Sequence, residues 1–165
     1  MRPSQASAIL PILLASCAFA ALEKRQTNDA VGTIISPANG SSITPGTPFS
    51  FQYSDGWGGA CHPAYTPISV GITAYRPTWP DLNGSIFKLP DSDYLYYFGD
   101  YVILNDEGIP PMSNPPPPST FTLPELDPMY NGQEIYLSVA EQMFECVPAG
   151  HTVYSFPINS LQYNP

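Results

Sequence analysis

Ile68-Ser69-Val70-Gly71-Ile72-Thr73-Ala74 alternates apolar with small or polar side chains, so Ile68, Val70, Ile72 and Ala74 fall on one face of an extended chain. A second stretch, 135–144, repeats the device: Ile135, Leu137 and Val139 share one face, and Tyr136, Ser138 and Ala140 the other. A period of two marks strands with a buried face, and these two segments are the expected centre of the core.

Outward from them, helices are nearly excluded. Twenty of the 21 prolines follow Pro3 and interrupt most windows long enough for a stable helix. The remaining runs are short, rich in Val, Ile, Thr, Tyr and Phe, and bounded by Gly, Pro, Asn and Asp, which predicts strands over 31–36, 48–53, 68–75, 85–89, 94–104, 120–123, 133–145 and 152–159. Turns are expected at Pro37-Ala38-Asn39-Gly40 and Pro45-Gly46. Seven or eight short strands punctuated in this way predict an all-β, antiparallel two-sheet sandwich. Two regions read as loops: the Gly-rich 54–65 and the Pro-rich 109–119, whose Pro115–Pro118 run favours a stiff crossover between sheets.

The N-terminus reads as processing sequence. Arg2, the apolar 9–14 and the small-residue site Ala18-Phe19-Ala20 make a signal peptide of residues 1–20. Lys24-Arg25 is a dibasic pair resembling a kexin-type cutting site, so 21–25 is read as a pro-segment and 26–165 as one domain. Beyond residue 25 only Arg76 and Lys88 stand against thirteen carboxylates. Such a surface repels phosphate backbones and anionic membranes, leaving nucleic acid and membrane as poor partners. Cys17 departs with the signal, and in an oxidising compartment Cys61 and Cys146 are expected to pair, a bridge worth roughly 4–5 kcal/mol by chain entropy. Asn39-Gly40-Ser41 and Asn83-Gly84-Ser85 meet the N-glycosylation pattern in turn-like sequence. The C-terminal residues lack the apolar tail of a lipid-anchor signal, so the product is expected to be released or wall-held.

Residues 34–53, IISPANGSSITPGTPFSFQY, run strand, Pro-x-x-Gly turn, second Gly turn and alternating strand. This segment resembles the opening of the Ig-like domain in fungal Ser/Thr-rich surface proteins and yeast glucan-synthesis-associated wall proteins. Together with Tyr96-Tyr97-Phe98-Gly99, it also looks like small secreted proteins of basidiomycete fungi. The resemblance implies an Ig-like or fibronectin-like sandwich and a wall or extracellular setting. It carries no catalytic residues across, and the chain departs from the pattern at Tyr53, where those relatives end the strand in Trp.

Candidate chemistry is sparse. A nucleophilic triad needs a histidine base, and only His62 and His151 exist. A two-histidine metal site completed by Asp55 or Glu145 lacks tight ligand spacing, so neither metal nor cofactor is expected. Acid pairs such as Asp91 with Asp93 or Asp106 with Glu107 are as frequent as solvation alone requires. Aromatics offer more. Trp57 and Tyr65 in the Gly-rich loop, Trp79 between prolines, and the cluster Tyr94, Tyr96, Tyr97, Phe98 and Tyr101 exceed what one small core needs. The expected function is therefore a secreted, monomeric, non-enzymatic binding module that meets a cell-wall polysaccharide or an extracellular protein through Trp57, Trp79 and Tyr65. The alternative is a small polysaccharide-active enzyme using a carboxylate pair or a two-histidine metal.

Overall fold

The computed structural model describes residues 32–56, 63–83, 87–144 and 152–165. Within them the fold is all-β, with short 3-10 turns at Trp79–Asp81, Asp91–Asp93 and Pro128–Tyr130. The strands are β1 (Thr33–Ser36), β2 (Ser41–Ile43), β3 (Pro48–Ser50), β4 (Gln52–Ser54), β5 (Tyr65–Thr73), β6 (Tyr96–Leu104), β7 (Thr120–Thr122), β8 (Glu134–Phe144), β9 (Thr152–Ser155) and β10 (Ile158–Tyr163).

One large sheet runs β2-β10-β8-β5-β6, with β9 also on β8; two ribbons, β1-β4 and β3-β7, lie apart from it. The alternation that opened the sequence reading is what the sheet uses. Ile68, Val70 and Ile72 of β5 and Ile135, Leu137 and Val139 of β8 are essentially sealed from solvent. They join Leu161 and Tyr163 of β10, and Ile34, Phe51 and Phe121 from the ribbon side, in one core. Burying a side chain of this size contributes about 1.5–3 kcal/mol, so these positions dominate stability.

Several expectations are corrected. Ala74 is exposed and lies beyond the end of β5, which runs from Tyr65 to Thr73. Pro67 is tolerated there: it pairs with Val102 of β6, while the ladder to β8 begins only at Ile68. The expected strand 48–53 is two strands, since the chain changes partner at Phe51, from β7 to β1. The expected strand 152–159 breaks at Phe156-Pro157 and resumes as β10. Of 85–89, residues 87–89 form no strand; Lys88 makes only an isolated bridge with Asn83.

Among the described residues ten strands replace the seven or eight expected, and the sheet is not purely antiparallel: β2 runs parallel to β10. The turn at 37–40 carries the chain from the β1–β4 ribbon to the edge of the large sheet, and Asn159 fastens it by donating to the Ile34 and Pro37 carbonyls. The proline-rich segment does connect the large sheet at β6 to the ribbon at β7, and Val102 donates its N–H to the Pro115 carbonyl.

Candidate functional site

The second face of the large sheet carries a different cover. Ser138 and Ala140 of β8, with Gly71 and Thr73 of β5, are buried beneath the segment that follows β5. That segment starts with a capping box at Thr78 and Asp81, where the Asp81 carboxylate accepts from the Thr78 N–H at 2.6 Å. It then lays Trp79, Leu82, Phe87, Leu89 and Tyr94 against Ala140 and Phe156 as a second hydrophobic cluster. Gly71 makes this possible, because a Cβ there would collide with the Tyr94 ring. Phe87 takes the left-handed backbone region at φ 45° and stacks on Tyr154 with ring centres 3.8 Å apart.

Beside this cover lies a groove of about 440 Å³. The sheet lends it Ser69 and Gln142, the covering segment lends Phe87 and Lys88, β6 lends Asp100 and Tyr101, and the proline-rich segment lends Asn114. Its polar centre is built by a bulge in β6. Val70 pairs with Gly99 and Gly71 with Tyr97, leaving Phe98 as the extra residue, and Gly99 holds φ 133°, a region favouring glycine. The bulge reverses the phase of the strand. Tyr96 and Phe98 before it, and Tyr101 and Ile103 after it, all pack on the main core, so Tyr97 and Asp100 share the other face.

There Asp100 Oδ1 accepts from the Ser69 hydroxyl at 2.5 Å and from the Tyr97 hydroxyl. Asp100 Oδ2 has no hydrogen bond among the described residues, and the Gln142 and Asn114 carboxamides make none there either. The ammonium of Lys88 sits 3.0 Å from Asp91 and 4.6 Å from the centre of the Tyr97 ring. Burial, reinforced by the hydrogen bond to Asp100, pushes the Tyr97 phenol up, so it stays a donor.

Tyrosine is the usual partner of carboxylates in this protein. Tyr75 donates to Asp93 at 3.0 Å and Tyr136 to Glu134 at 2.7 Å. With so few cations, phenol hydroxyls take the place of ammonium and guanidinium groups. The most buried case is Glu141, which is fully enclosed on β8 and accepts from Tyr53 at 2.5 Å. Its other oxygen, Oε1, has no hydrogen-bond partner among the described residues. The chain entering β1 closes over the pair: Gly32 donates to Ser155, and a Cβ at Gly32 would collide with both Tyr53 and Glu141. Burial pushes the Glu141 carboxyl up to about 7, helped by the Asp55 charge and opposed by the Tyr53 hydrogen bond. The sequence reading missed Glu141. The available signal was its register, two beyond Val139 on the face that carries Ile135 and Leu137.

The residues singled out from sequence are dispersed. Tyr65 opens β5 and donates to the Pro110 carbonyl at 2.5 Å, tethering the proline-rich segment. Trp79 is half-buried and packs on Phe87 and Phe156, so it supports the groove wall. Asn39 is exposed; its side-chain oxygen accepts from Ser160 N–H and hydroxyl, leaving Nδ2, the atom a glycan would use, without a hydrogen bond among the described residues. Asn83 is exposed, and its N–H donates to the Lys88 carbonyl. Trp57, Cys61, Cys146, His62, His151, Glu145, Ala20, Lys24 and Arg25 lie outside the described residues. Asp55 accepts from Thr66 at 3.4 Å, Asp91 holds Lys88, and Asp106 and Glu107 are exposed. Two hydrophobic clusters, where one was expected, account for much of the aromatic surplus.

Among the described residues no group of three or more His, Cys, Asp or Glu is arranged to hold a metal ion. No protein-family model, curated protein or solved structure matches the chain.

Proposed function

We propose that this chain is a secreted, non-enzymatic binding module of the fungal wall or extracellular space, acting as a monomer without a cofactor, and that the groove beside the covering segment holds a glycan. The observation that carries this reading is the groove's lining. Two carboxamides and a carboxylate oxygen line it without partners among the described residues, next to the Phe87 side chain. Sugars offer hydroxyls to polar groups of this kind and C–H faces to rings, whereas a purely apolar ligand would leave the polar groups desolvated.

The reading shifts the binding face from the loop aromatics Trp57, Trp79 and Tyr65 to the groove, with Trp79 supporting Phe87 from behind. An Ig-like or fibronectin-like sandwich is the architecture we propose for the large sheet and its two ribbons. The register sets Ile68 opposite Glu141, so the chain enters β5 and leaves β8 at the same end of the sheet, which supports pairing of Cys61 with Cys146. The signal-like start and the two sequons fit a secreted glycoprotein.

The test is retention of the purified secreted protein on insoluble β-glucan, chitin and cellulose. We expect retention on at least one polymer, lowered about tenfold or more in Gln142→Ala and Asn114→Ala variants that melt normally. Retention untouched by both substitutions contradicts the groove, and no retention on any polymer redirects the reading to a protein partner.

A further inference from the structure

We infer that the groove selects a glycan bearing free amines, an oligomer of glucosamine type, over its N-acetylated and neutral counterparts. This rests on the glycan reading above and names the ligand chemistry.

Charge inside and around the groove is what distinguishes the ligands. Lys88, the one cation lining it among the described residues, is already compensated by Asp91 and by the face of Tyr97. Asp100 is not. Both of its hydrogen bonds, from Ser69 and Tyr97, fall on Oδ1, which fixes the carboxylate plane and leaves Oδ2 open among the described residues. A carboxylate held in place by two hydroxyls loses little entropy on meeting a ligand. An ammonium at Oδ2 adds the attraction of opposite full charges to the hydrogen bond that an acetamide N–H or a sugar hydroxyl also makes to a carboxylate.

The surroundings act in the same direction. With thirteen carboxylates against two cations beyond residue 25, the field of the protein draws cations toward it. A basic peptide would meet that field equally well. The glycan is favoured because Gln142 and Asn114 present carboxamides, which hydrogen-bond ring hydroxyls, and because Phe87 lies beside them.

The experiment is a titration of the secreted protein with glucosamine oligomers, the same oligomers fully N-acetylated, neutral β-glucan oligomers and oligolysine of matched charge. We expect the amine oligomers to bind about tenfold or more tightly than the acetylated ones, with the preference shrinking as salt is added. Asp100→Asn should erase that preference, and Asp106→Asn, in the exposed loop after β6, should keep it. Equal binding of amine and acetylated oligomers, or a preference that survives Asp100→Asn, overturns the inference and leaves the glycan reading standing. Oligolysine matching the amine glycan also overturns it. Failure of every glycan removes the underlying reading. Should Asp100→Asn not fold, oligomers carrying trimethylated amines decide on the wild-type protein: charge without a hydrogen to donate should cost most of the advantage, and undiminished binding contradicts the role of Oδ2.

Discussion

At the scale of single residues, Glu141 is the position where folding and ionisation conflict most. It is sealed in the protein, one oxygen is unpaired among the described residues, and burial pushes its carboxyl from 4.5 up to about 7. The groups facing it are Tyr53 and Asp55 on and after β4 and Ser155 on β9, and none of them carries a positive charge. Below pH 4.5 the carboxyl is protonated in both folded and unfolded chains and contributes no pH dependence. As pH rises from 4.5 to about 7 the unfolded chain loses the proton that the folded chain keeps, so stability falls, and above about 7 the loss is complete. A shift of this size is worth about 3 kcal/mol. We predict that Glu141→Gln matches the wild type in urea denaturation at pH 4 and exceeds it by up to about 3 kcal/mol at pH 8. A wild-type minus variant difference that stays flat with pH would show that Glu141 does not titrate in this way. Legibility at this scale was partial. Trp79 stood out as an aromatic between prolines, yet its place behind Phe87 depends on Phe156, far along the chain.

Among elements, β5 and β8 were readable because the face turned to the main core keeps an unbroken apolar period of two over Ile68, Val70, Ile72 and over Ile135, Leu137, Val139. β6 was readable only as a strand. Its faces were hidden by the Gly99 bulge, which sets Tyr97 and Asp100 on one side although three residues apart, a placement no regular strand gives. The candidate site was illegible for that reason, since its centre is made by a register shift. β2 went unread because three residues, Ser41–Ile43, gain their strand character from pairing with β10, distant in sequence. The covering segment gives a direct test of the second face. Gly71→Ala should lower stability by about 2 kcal/mol or more, because the methyl meets the Tyr94 ring, whose hydroxyl is also held by the Leu89 N–H. Tyr94→Ala should be destabilising by itself, and the double variant should lose clearly less than the sum of the two. Strict additivity in thermal or urea melts would mean that Tyr94 does not rest on Gly71.

For the whole molecule, the two faces of the large sheet divide the work. One builds the main core with the ribbons; the other carries a smaller aromatic cluster with the groove at its side. The acidity that marked the sequence is met by tyrosine hydroxyls, enclosed at Glu141 and on the surface at Asp93, Asp100 and Glu134, and is expressed at the groove by Asp100. Composition pointed to a binding module, but the location of its surface depended on how the chain folds back after β5. The central claim is that this groove receives a glycan. The most direct measurement is a nitrogen-15 NMR titration of the isotopically labelled secreted protein with soluble glucosamine and β-glucan oligomers, following every backbone and side-chain amide. The account predicts saturable shifts concentrated at Ser69, Lys88, Asp100 and the side chains of Gln142 and Asn114, with the Tyr65 end of β5 unmoved. Shifts confined to other surfaces, or none at ligand concentrations in the millimolar range, would contradict it.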